Sequence, residues 1–567
     1  MSQQYADQHR DTLDGALEAI QTRAHFSAYP ESPSPRVHGE EAAPAGQQAF
    51  EALLGTDFPV DTPGASGTVA TERSPFGIAL DVRYPRVTPA GVDALLTAAR
   101  RGLPRWRDAG PDVRAGVCLE ILARLHARIF ELAHSVMHTS GQAFVMAFQA
   151  GGAHALDRGL ESVAYAYAEM TRHPQHVRWE KPAKGEPLQM DKRFHVVGKG
   201  VALLVGCNTF PTWNSFPAFF ASLATGNAVV VKPHPGAVLP LALTVQTARA
   251  VLSDAGFDPD LVTLAAEDPS DRLAATLATR PEVKVVDFTG SGTFGRWLEE
   301  NATQAVVYAE KNGVNHVVVD STDDFRGMCA NLGFSLSLYT GQMCTTPQNI
   351  LLPHDGIDTD EGHKSFDEVG AGIAAAVDRL LGDDARAVEL LGGVVNADVL
   401  ARLESAQAKG TPVLTSRAVA HPAFPDATVR TPAVLAVDVK DEDAYGSECF
   451  GPVSYLVATD GTDASLDLFR RTVTEKGAMT ASVYSRDERV LDAAEQVAVE
   501  VGVHLSCNLT DGVYVNQSAA FSDFHGTAGN PAASATLTDG AFVAGRFLVV
   551  QSRRHAPAAA SNPSKDA

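Results

Sequence analysis

The spacing of apolar residues between about Val92 and Met170 is helical. In the stretch GVCLEILARLHARIFELAHSVM, apolar side chains recur at three- and four-residue steps, which makes one face of each helix apolar. An apolar face of this kind is stable only when another element covers it. We therefore expect these helices to pack against a sheet.

The middle of the chain alternates short apolar runs with helical stretches. The runs are VALLVG, NAVVVKP, LVTLAA, VKVVDF and AVVYAE, and a second series follows from about Asn315 with HVVVD, QNILL, AVLAV and YLVAT. Strands that alternate with helices form βαβ units and a parallel sheet. The pattern predicts an α/β fold with one doubly wound parallel sheet and a second α/β region. The run FVAGRFLVVQSRR near the end predicts one further strand.

The composition is that of a multidomain globular protein. With 567 residues, 45% of them hydrophobic and 20% charged, the chain is long enough to bury two or three cores. It contains no apolar run of membrane-spanning length and no signal-peptide pattern at its start, so we expect a cytoplasmic protein. Residues 29–44, YPESPSPRVHGEEAAP, are too rich in proline, serine and charge to predict a packed helix or strand.

Charge and cysteine usage exclude several classes of partner. The net charge of −22 argues against nucleic acid or an anionic membrane as the main partner, although a small anionic ligand remains compatible with it. The six cysteines are scattered and show no CxxC spacing, so neither a disulfide framework nor a metal site is implied.

Two segments carry candidate catalytic side chains. Cys344 closes the stretch TGQMC, and Asn214 lies in TFPTWNSFP, directly after the run VALLVG. A single cysteine is more often a small buried hydrophobe than a nucleophile. An asparagine between a strand and a helix can offer an amide at the ligand-binding edge of a parallel sheet, or it can simply cap the helix.

A glycine-rich turn follows the run VKVVDF. In FTGSGTFG, Gly290, Ser291 and Gly295 stand between a predicted strand and a predicted helix. Such a turn lets backbone amides approach a phosphate at the helix N-terminus, and its plain alternative is a tight turn.

Taken in order, these segments resemble the aldehyde dehydrogenase superfamily from about residue 75 to 553. FPTWNSFP is similar to the asparagine loop of the family, ATGNAVVVKP to its cofactor-lysine strand, FTGSGTFG to its phosphate turn, TGQMC to its nucleophile motif and ECFGPV to its ribose-binding motif. Longer stretches, among them GQAFVMAFQAGGAHALDRGLESVAYAYAEM and AEKNGVNHVVVDSTDDF, resemble the PaaN-type enzymes of bacterial phenylacetate catabolism.

The resemblance implies a division of the chain and a homo-oligomer, a dimer or larger. It implies an N-terminal extension (1–75), a nucleotide-binding domain (76–176 and 200–314), an oligomerisation arm (177–199 and 542–552), a catalytic domain (315–541) and a disordered tail (553–567).

It also implies a role for each motif. Cys344 attacks the aldehyde carbon, and Asn214 stabilises the oxyanion together with the Cys344 amide. The implied nicotinamide-cofactor contacts are Thr212, Trp213, Lys232, Gly290, Ser291, Gly295, Glu448 and Phe450.

The general base departs from the family pattern. The usual glutamate followed by Leu-Gly-Gly-Lys is replaced by Tyr308-Ala-Glu310-Lys-Asn-Gly-Val-Asn315. Glu310 lies 34 residues before Cys344, close to the usual separation, and is the best candidate. Alignment on Asn315 places Tyr308 there instead, and the position of Glu310 after Gly290 also suits a ribose-binding acid.

A second departure concerns cofactor choice. Many relatives that prefer NAD carry a glutamate three residues after the lysine, and this chain has Pro235 there. Without that carboxylate, either NAD or NADP is expected, with NADP slightly favoured.

The implied reaction is oxidation of an aldehyde to a carboxylic acid through a thioester on Cys344. The implied substrate is a CoA-linked semialdehyde of the 3-oxo-5,6-dehydrosuberyl-CoA type. Two alternatives remain open: a CoA-acylating aldehyde dehydrogenase, in which coenzyme A replaces water, and a non-catalytic binding protein on the same fold.

Overall fold

Two parallel sheets, each covered by helices, organise the chain and confirm the predicted fold class. The computed structural model describes residues 2–311, 313–510, 512–514, 520–523, 525–526, 529–535 and 538–556. The apolar runs of the sequence form the strands of these sheets, because β-branched residues suit a pleated surface buried on both faces.

The first sheet has five parallel strands in the chain order 3-2-1-4-5. Across the sheet they are Val262–Leu264, Ala228–Lys232, Val201–Val205, Val283–Thr289 and Val306–Glu310. The order reverses beside Val201–Val205, and a ligand cleft is expected outside the carboxyl ends of the strands at such a point. Lys232, Thr289 and Glu310 all end their strands at this edge.

The predicted helices between Val92 and Met170 are present and pack with the first sheet. The main helices of this half are Val92–Arg101, Gly110–Ala127, Ile129–Ser140, Ala155–Thr171, Pro211–Ala224, Leu239–Asp254 and Gly292–Asn301. Their apolar faces share one buried core with the strands, and Cys118, Leu122 and Leu160 are fully buried in it.

The second sheet has seven strands, six of them parallel. In order across the sheet they are Thr411–Leu414, Ala433–Asp438, Val453–Thr459, Asn349–Pro353, His316–Val319, Thr480–Tyr484 and His504–Cys507, the first running antiparallel. Its main helices are Phe325–Ser337, Phe366–Leu381, Ala397–Ala406, Thr462–Lys476 and Glu488–Val501.

A three-stranded antiparallel arm stands apart from both sheets. Its strands are His176–Lys181, Leu188–Gly198 and Phe547–His555. The expectation of a strand from Phe542 was wrong, because Asp539 caps a short helix, Gly540–Ala544. The last strand also continues through residues 553–555, which we had assigned to a disordered tail; residues 557–567 of that tail lie outside the described part.

The first 75 residues are packed rather than appended. Helices Ser2–Gln8, Arg10–Thr22, Pro35–His38 and Ala42–Glu51 lie in this segment. Leu13 and Phe50 are buried in the first core. The expectation that residues 29–44 form no helix was wrong, because Ser34 caps the turn that begins at Pro35.

The chain returns from the second sheet to the first before it reaches the arm. The Lys311 amide donates to the Ala532 carbonyl oxygen at 2.6 Å, and the Ser534 amide donates to Ala309 at 2.8 Å. Phe521 is fully buried in the first core. This return brings the described residues 529–535 to the edge of the sheet that ends in Glu310.

Candidate active site

The loop before Cys344 is held in an unusual backbone conformation. Tyr339, Thr340 and Gly341 have φ angles of 53°, 56° and 64°, in the left-handed region that side chains rarely adopt. Side-chain bonds hold it: Thr340 Oγ1 donates to the Gly392 carbonyl oxygen at 2.8 Å, and the hydroxyl of Tyr339 donates to the Ser140 carbonyl oxygen. The cysteine therefore sits on a loop whose shape is fixed by neighbouring segments.

Asn315 fixes the nucleophile loop from the second sheet. Its side-chain amide donates to the carbonyl oxygens of Cys344 at 2.7 Å and Thr346 at 3.0 Å. Its side-chain oxygen accepts from the backbone amides of Met479 and Thr480 at 2.9 and 3.2 Å. Because Asn315 is buried and uses both ends of its amide, it locks the loop against the strand that begins at Thr480.

Asn214 and Glu310 meet at the carboxyl edge of the first sheet. Asn214 lies in the first turn of the helix Pro211–Ala224, and its amide donates to Glu310 Oε2 at 3.1 Å. Glu310 ends the last strand, where its carbonyl oxygen accepts from the Gly290 amide at 3.0 Å. The fold thus brings the three predicted catalytic residues, Cys344, Asn214 and Glu310, to one place.

Glu310 is a buried carboxylate in a favourable field. Burial raises its pKa, but the charges of His525 and Arg158 and hydrogen bonds from His525 and the Cys344 thiol outweigh burial and leave the pKa below its usual value. His525 Nε2 lies 3.3 Å from Glu310 Oε2. Glu310 is therefore ionised at neutral pH. Its other oxygen, Oε1, has no hydrogen-bond partner within the described part of the chain.

The surroundings of Cys344 favour the neutral thiol. Burial and the neighbouring Glu310 carboxylate raise the pKa of Cys344 well above its ordinary value. His525 Nε2 lies 3.8 Å from the Cys344 sulfur.

Arg158 is a buried arginine next to the site. Arg158 places its guanidinium 3.7 Å from the ring centroid of Trp213 and donates to the Trp213 carbonyl oxygen at 2.9 Å. Burial lowers its pKa to about 10, so it stays charged. Burial also raises the pKa of the nearby Glu161 to about 7, against the opposing effect of Arg23 from the N-terminal segment.

Two cavities meet at the nucleophile. A cavity of about 620 Å³ runs along the carboxyl edge of the first sheet, and one of about 530 Å³ opens on the other side. Phe210, Asn214 and Cys344 line both. A molecule in the first cavity and one in the second can therefore reach Cys344 together.

The first cavity collects most of the predicted cofactor residues. Lys232, Gly290, Ser291, Glu448 and Phe450 line it. Ser291 caps the helix Gly292–Asn301, whose N-terminus faces the cavity. Burial raises the pKa of Glu448 to about 7, against the opposing effects of Arg402 and the Gly313 amide. A cation, a helix N-terminus and a carboxylate along one groove suit the phosphates and ribose hydroxyls of a dinucleotide.

Three predicted cofactor residues lie elsewhere. Thr212 is fully buried and donates to the Gly151 carbonyl oxygen at 2.7 Å, because its helix packs on the π-helical turn there. Trp213 points its ring into the second cavity, where Arg158 covers it. Gly295 lies inside its helix under the Lys311 side chain, where a Cβ atom would come within 2.4 Å of it.

Tyr308, the alternative base position, lies away from the thiol. Its ring packs 5.0 Å from the ring of Phe542 and under the guanidinium of Arg546.

Sequence reasoning missed four residues of the site: Arg158, Glu267, Asn315 and His525. Glu267 forms a buried ion pair with Lys232 and accepts from the Leu273 amide at 2.6 Å. Asn315 closes the segment that carries Glu310 and Arg158 lies in a stretch that resembles the PaaN-type enzymes, but no motif assigned a role to any of the four. The single available signal was that each is polar within or beside an apolar or glycine-rich stretch.

Comparison with known proteins supports one family. The model of the aldehyde dehydrogenase family matches residues 64–521. The crystal structure of an NAD-dependent aldehyde dehydrogenase from Burkholderia multivorans superposes with a TM-score of 0.95 at 56% identity, covering 97% of this chain and 99% of that one. A 1-pyrroline-5-carboxylate dehydrogenase from Thermus with bound NAD shares the fold at a TM-score of 0.74 and 19% identity, covering 94% and 99%.

Several curated relatives are named for vanillin or benzaldehyde, among them the following two. The vanillin dehydrogenase of Pseudomonas fluorescens is 25% identical over 77% of this chain and 86% of its own length. The NAD⁺ benzaldehyde dehydrogenase of Pseudomonas putida is 25% identical over 70% and 76%. No helix in the described ranges is long and apolar enough to cross a membrane. The chain belongs to the aldehyde dehydrogenase family and is an oxidoreductase.

Proposed function

We propose that Cys344 carries the aldehyde through a thioester that water resolves. The observation that supports this most directly is the meeting of two cavities at Cys344, beside the hydrogen-bonded pair of Asn214 and Glu310. A cofactor bound in the first cavity supplies the hydride acceptor. Asn214, released from Glu310 when substrate enters, donates to the oxyanion that forms on the aldehyde.

The free oxygen of Glu310 supports the water-activating role over the ribose role. Oε2 is occupied by Asn214 and His525, whereas Oε1 has no partner in the described part of the chain and can accept a proton from water. Transfer of that proton leaves hydroxide to attack the thioester carbonyl and release Cys344 as a thiolate. Glu448, farther along the first cavity, remains the better ribose ligand.

The first test separates this chemistry from its rivals. We expect reduced cofactor to form from an aldehyde without coenzyme A, and Cys344→Ser to lower turnover more than about 1000-fold while leaving cofactor binding within about threefold. Strict dependence on coenzyme A would identify an acylating enzyme. Unchanged turnover in Cys344→Ser would exclude the thioester.

The second cavity supports an apolar aldehyde. Met146, Phe210, Leu338, Leu505 and Val513 are among its lining residues. No lysine or arginine is found among the described residues that line it. The basic residues in its described lining are His154, His504 and His525, so a free carboxylate on the substrate that does not pair with one of them is poorly solvated, at a cost of several kcal/mol.

We propose that the substrate is a CoA-linked semialdehyde whose acyl chain fills this cavity and whose phosphates stay outside. The resemblance to PaaN-type enzymes supports this assignment, and the thioester carries no charge into the apolar space. We expect kcat/KM for such a substrate to exceed that for the free dicarboxylic semialdehyde at least tenfold. If benzaldehyde is used as efficiently as the CoA ester, the aromatic aldehydes of the curated relatives become the better assignment.

The ion pair at Lys232 supports NAD as the cofactor, contrary to our expectation from Pro235. Many relatives that prefer NAD carry a glutamate at the position of Pro235, and in this chain Glu267 supplies a carboxylate from another loop. Its charge neutralises Lys232, which would otherwise attract a 2′-phosphate. We therefore propose a preference for NAD over NADP.

The arm supports a homo-oligomer. Leu188, Leu548, Val549 and Val550 on it are each about half exposed. Apolar side chains grouped in this way are typical of an interface. We propose a dimer or larger assembly. Sedimentation of the wild-type protein and of Val549→Lys tests this proposal, and a monomeric wild type would refute it.

A further inference from the structure

A histidine from a distant part of the chain completes the catalytic cluster. His525 lies on the segment that returns from the second sheet, 181 positions from Cys344. Its ring stands edge-on to Trp213, with centroids 4.5 Å apart, and its side chain is 10% exposed. The Cys344 sulfur, His525 Nε2 and a Glu310 oxygen all lie within 4.8 Å of one another.

The cluster presents a problem of charge. A thiol beside an ionised carboxylate in a buried site is a poor acid, because the thiolate would face Glu310 without compensation. Arg158 offsets part of the Glu310 charge, but its guanidinium is placed on the ring and carbonyl oxygen of Trp213. The imidazole of His525 faces both the sulfur and the carboxylate.

We propose that His525 accepts the proton of the Cys344 thiol, so that the working nucleophile is a thiolate paired with an imidazolium that Glu310 holds in place. The proposal rests on Cys344 being the nucleophile, as proposed above. Before the transfer the neutral ring carries its proton on Nδ1, so that Nε2 can accept from the thiol; after the transfer Nε2–H donates to Glu310, which is the hydrogen bond described above. The imidazolium of His525 then faces both the Cys344 thiolate and the Glu310 carboxylate, and its positive charge stabilises both anions.

The step balances without any further reagent. The S–H bond of Cys344 breaks, the proton moves to His525 Nε2 and the electron pair stays on sulfur, which then bonds to the aldehyde carbon. When water cleaves the thioester, the C–S electron pair returns to sulfur and again faces the imidazolium. The proton of the attacking water goes to Glu310 Oε1, so the two groups do not compete for one proton.

Other titratable groups also act on this cluster. Those that influence Cys344, Glu310 or His525 from the elements packed around them are Arg158, Cys207, Glu448 and His504. His504 lines the same cavity, and its Nε2 lies 3.1 Å from the Gly526 carbonyl oxygen. It therefore provides a matched control, a histidine of the same cavity that does not face the sulfur.

The rate at which iodoacetamide alkylates Cys344 reports the thiolate fraction directly. We would measure it from pH 5 to 10 on the full-length protein without cofactor, by mass spectrometry of the Cys344 peptide, which makes the result independent of turnover. In His525→Gln we expect the rate at pH 7 to fall about 10- to 100-fold and its rise with pH to move to higher pH, because burial and Glu310 then hold the pKa of Cys344 above its ordinary value. His504→Gln should shift the curve far less, by at most about threefold, because His504 acts on the cluster through its charge and does not face the sulfur.

Two results would overturn the proposal. One is a His525→Gln curve that superimposes on that of the wild type, which would reduce His525 to a packing partner of Trp213. The other is an equal loss in His504→Gln, which would show a general disturbance of the cavity. If His525→Gln does not fold, the ultraviolet thiolate absorbance of wild type minus Cys344→Ser decides: about one thiolate per chain at pH 7 supports the pair, and none refutes it.

Discussion

Replacing Glu267 by glutamine tests how the chain selects its cofactor. Glu267 forms an ion pair with Lys232, and each side chain is only 7% exposed. Its other oxygen accepts from the Leu273 amide at 2.6 Å, a bond that glutamine can keep. The substitution removes one negative charge while it preserves the shape of the site. We expect it to raise the efficiency with NADP relative to NAD.

The size of the expected change in cofactor preference follows from the repulsion between the Glu267 carboxylate and a 2′-phosphate bound at Lys232. A 2′-phosphate bound at Lys232 would lie about 6 Å from the Glu267 carboxylate, where two unit charges at an effective dielectric constant of about 20 repel by ~3 kcal/mol. That energy corresponds to a factor of about 100. Because water enters the open side of the cavity and screens the charges, we expect a change of about 10- to 100-fold.

The assay compares kcat/KM for NAD and NADP at saturating aldehyde. Asp268→Asn is the matched control, because Asp268 neighbours Glu267 but accepts from Ser270 instead of facing Lys232. We expect wild type and Asp268→Asn to share one NAD/NADP ratio, and Glu267→Gln to shift it toward NADP. A ratio that Glu267→Gln leaves within about twofold would refute electrostatic selection at Lys232.

Three further predictions concern catalysis, cofactor affinity and stability. Glu310→Gln should leave the first hydride transfer intact and slow turnover about 10²- to 10⁴-fold. Rapid mixing should then show a burst of reduced cofactor, and mass spectrometry should show an acylated Cys344. A weakened cofactor affinity without acylation would return Glu310 to the ribose role. The pKa of Glu448 is raised to about 7, and the side chain must be ionised to accept strongly from ribose hydroxyls. The KM for NAD should therefore fall as the pH rises from 6 to 8, and Glu448→Gln should abolish this dependence. An identical pH profile in the variant would contradict the ribose role of Glu448. Arg546→Met should lower the free energy of unfolding by about 3–5 kcal/mol in chemical denaturation, because it leaves the Asp287 carboxylate buried without its two bonds of 2.7 and 2.6 Å; a loss below about 1 kcal/mol would contradict that reasoning.

Local patterns determined the architecture and the motif residues. The apolar runs became the strands of two parallel sheets, because a strand buried on both faces needs an unbroken row of β-branched side chains. Cys344, Asn214 and Glu310 could be named because the segments around them resemble motifs of the aldehyde dehydrogenase family, whereas local spacing alone also allowed a buried cysteine and a capping asparagine. The meeting of Asn214 and Glu310 follows from the parallel topology of the first sheet, which gathers carboxyl strand ends at one edge. Cys344 comes from the loop before the strand Asn349–Pro353 of the second sheet, so its approach to them depends on how the two sheets pack together.

Tertiary structure alone decided the partners that tune those residues. Glu267 reaches Lys232 from another strand end, and His525 reaches Cys344 across 181 positions. A window of sequence carries no information on such approaches, because they depend on how loops close over the sheet. The cofactor site is a further case: the sequence shows that a carboxylate is missing at Pro235, and only the folded chain shows Glu267 beside Lys232.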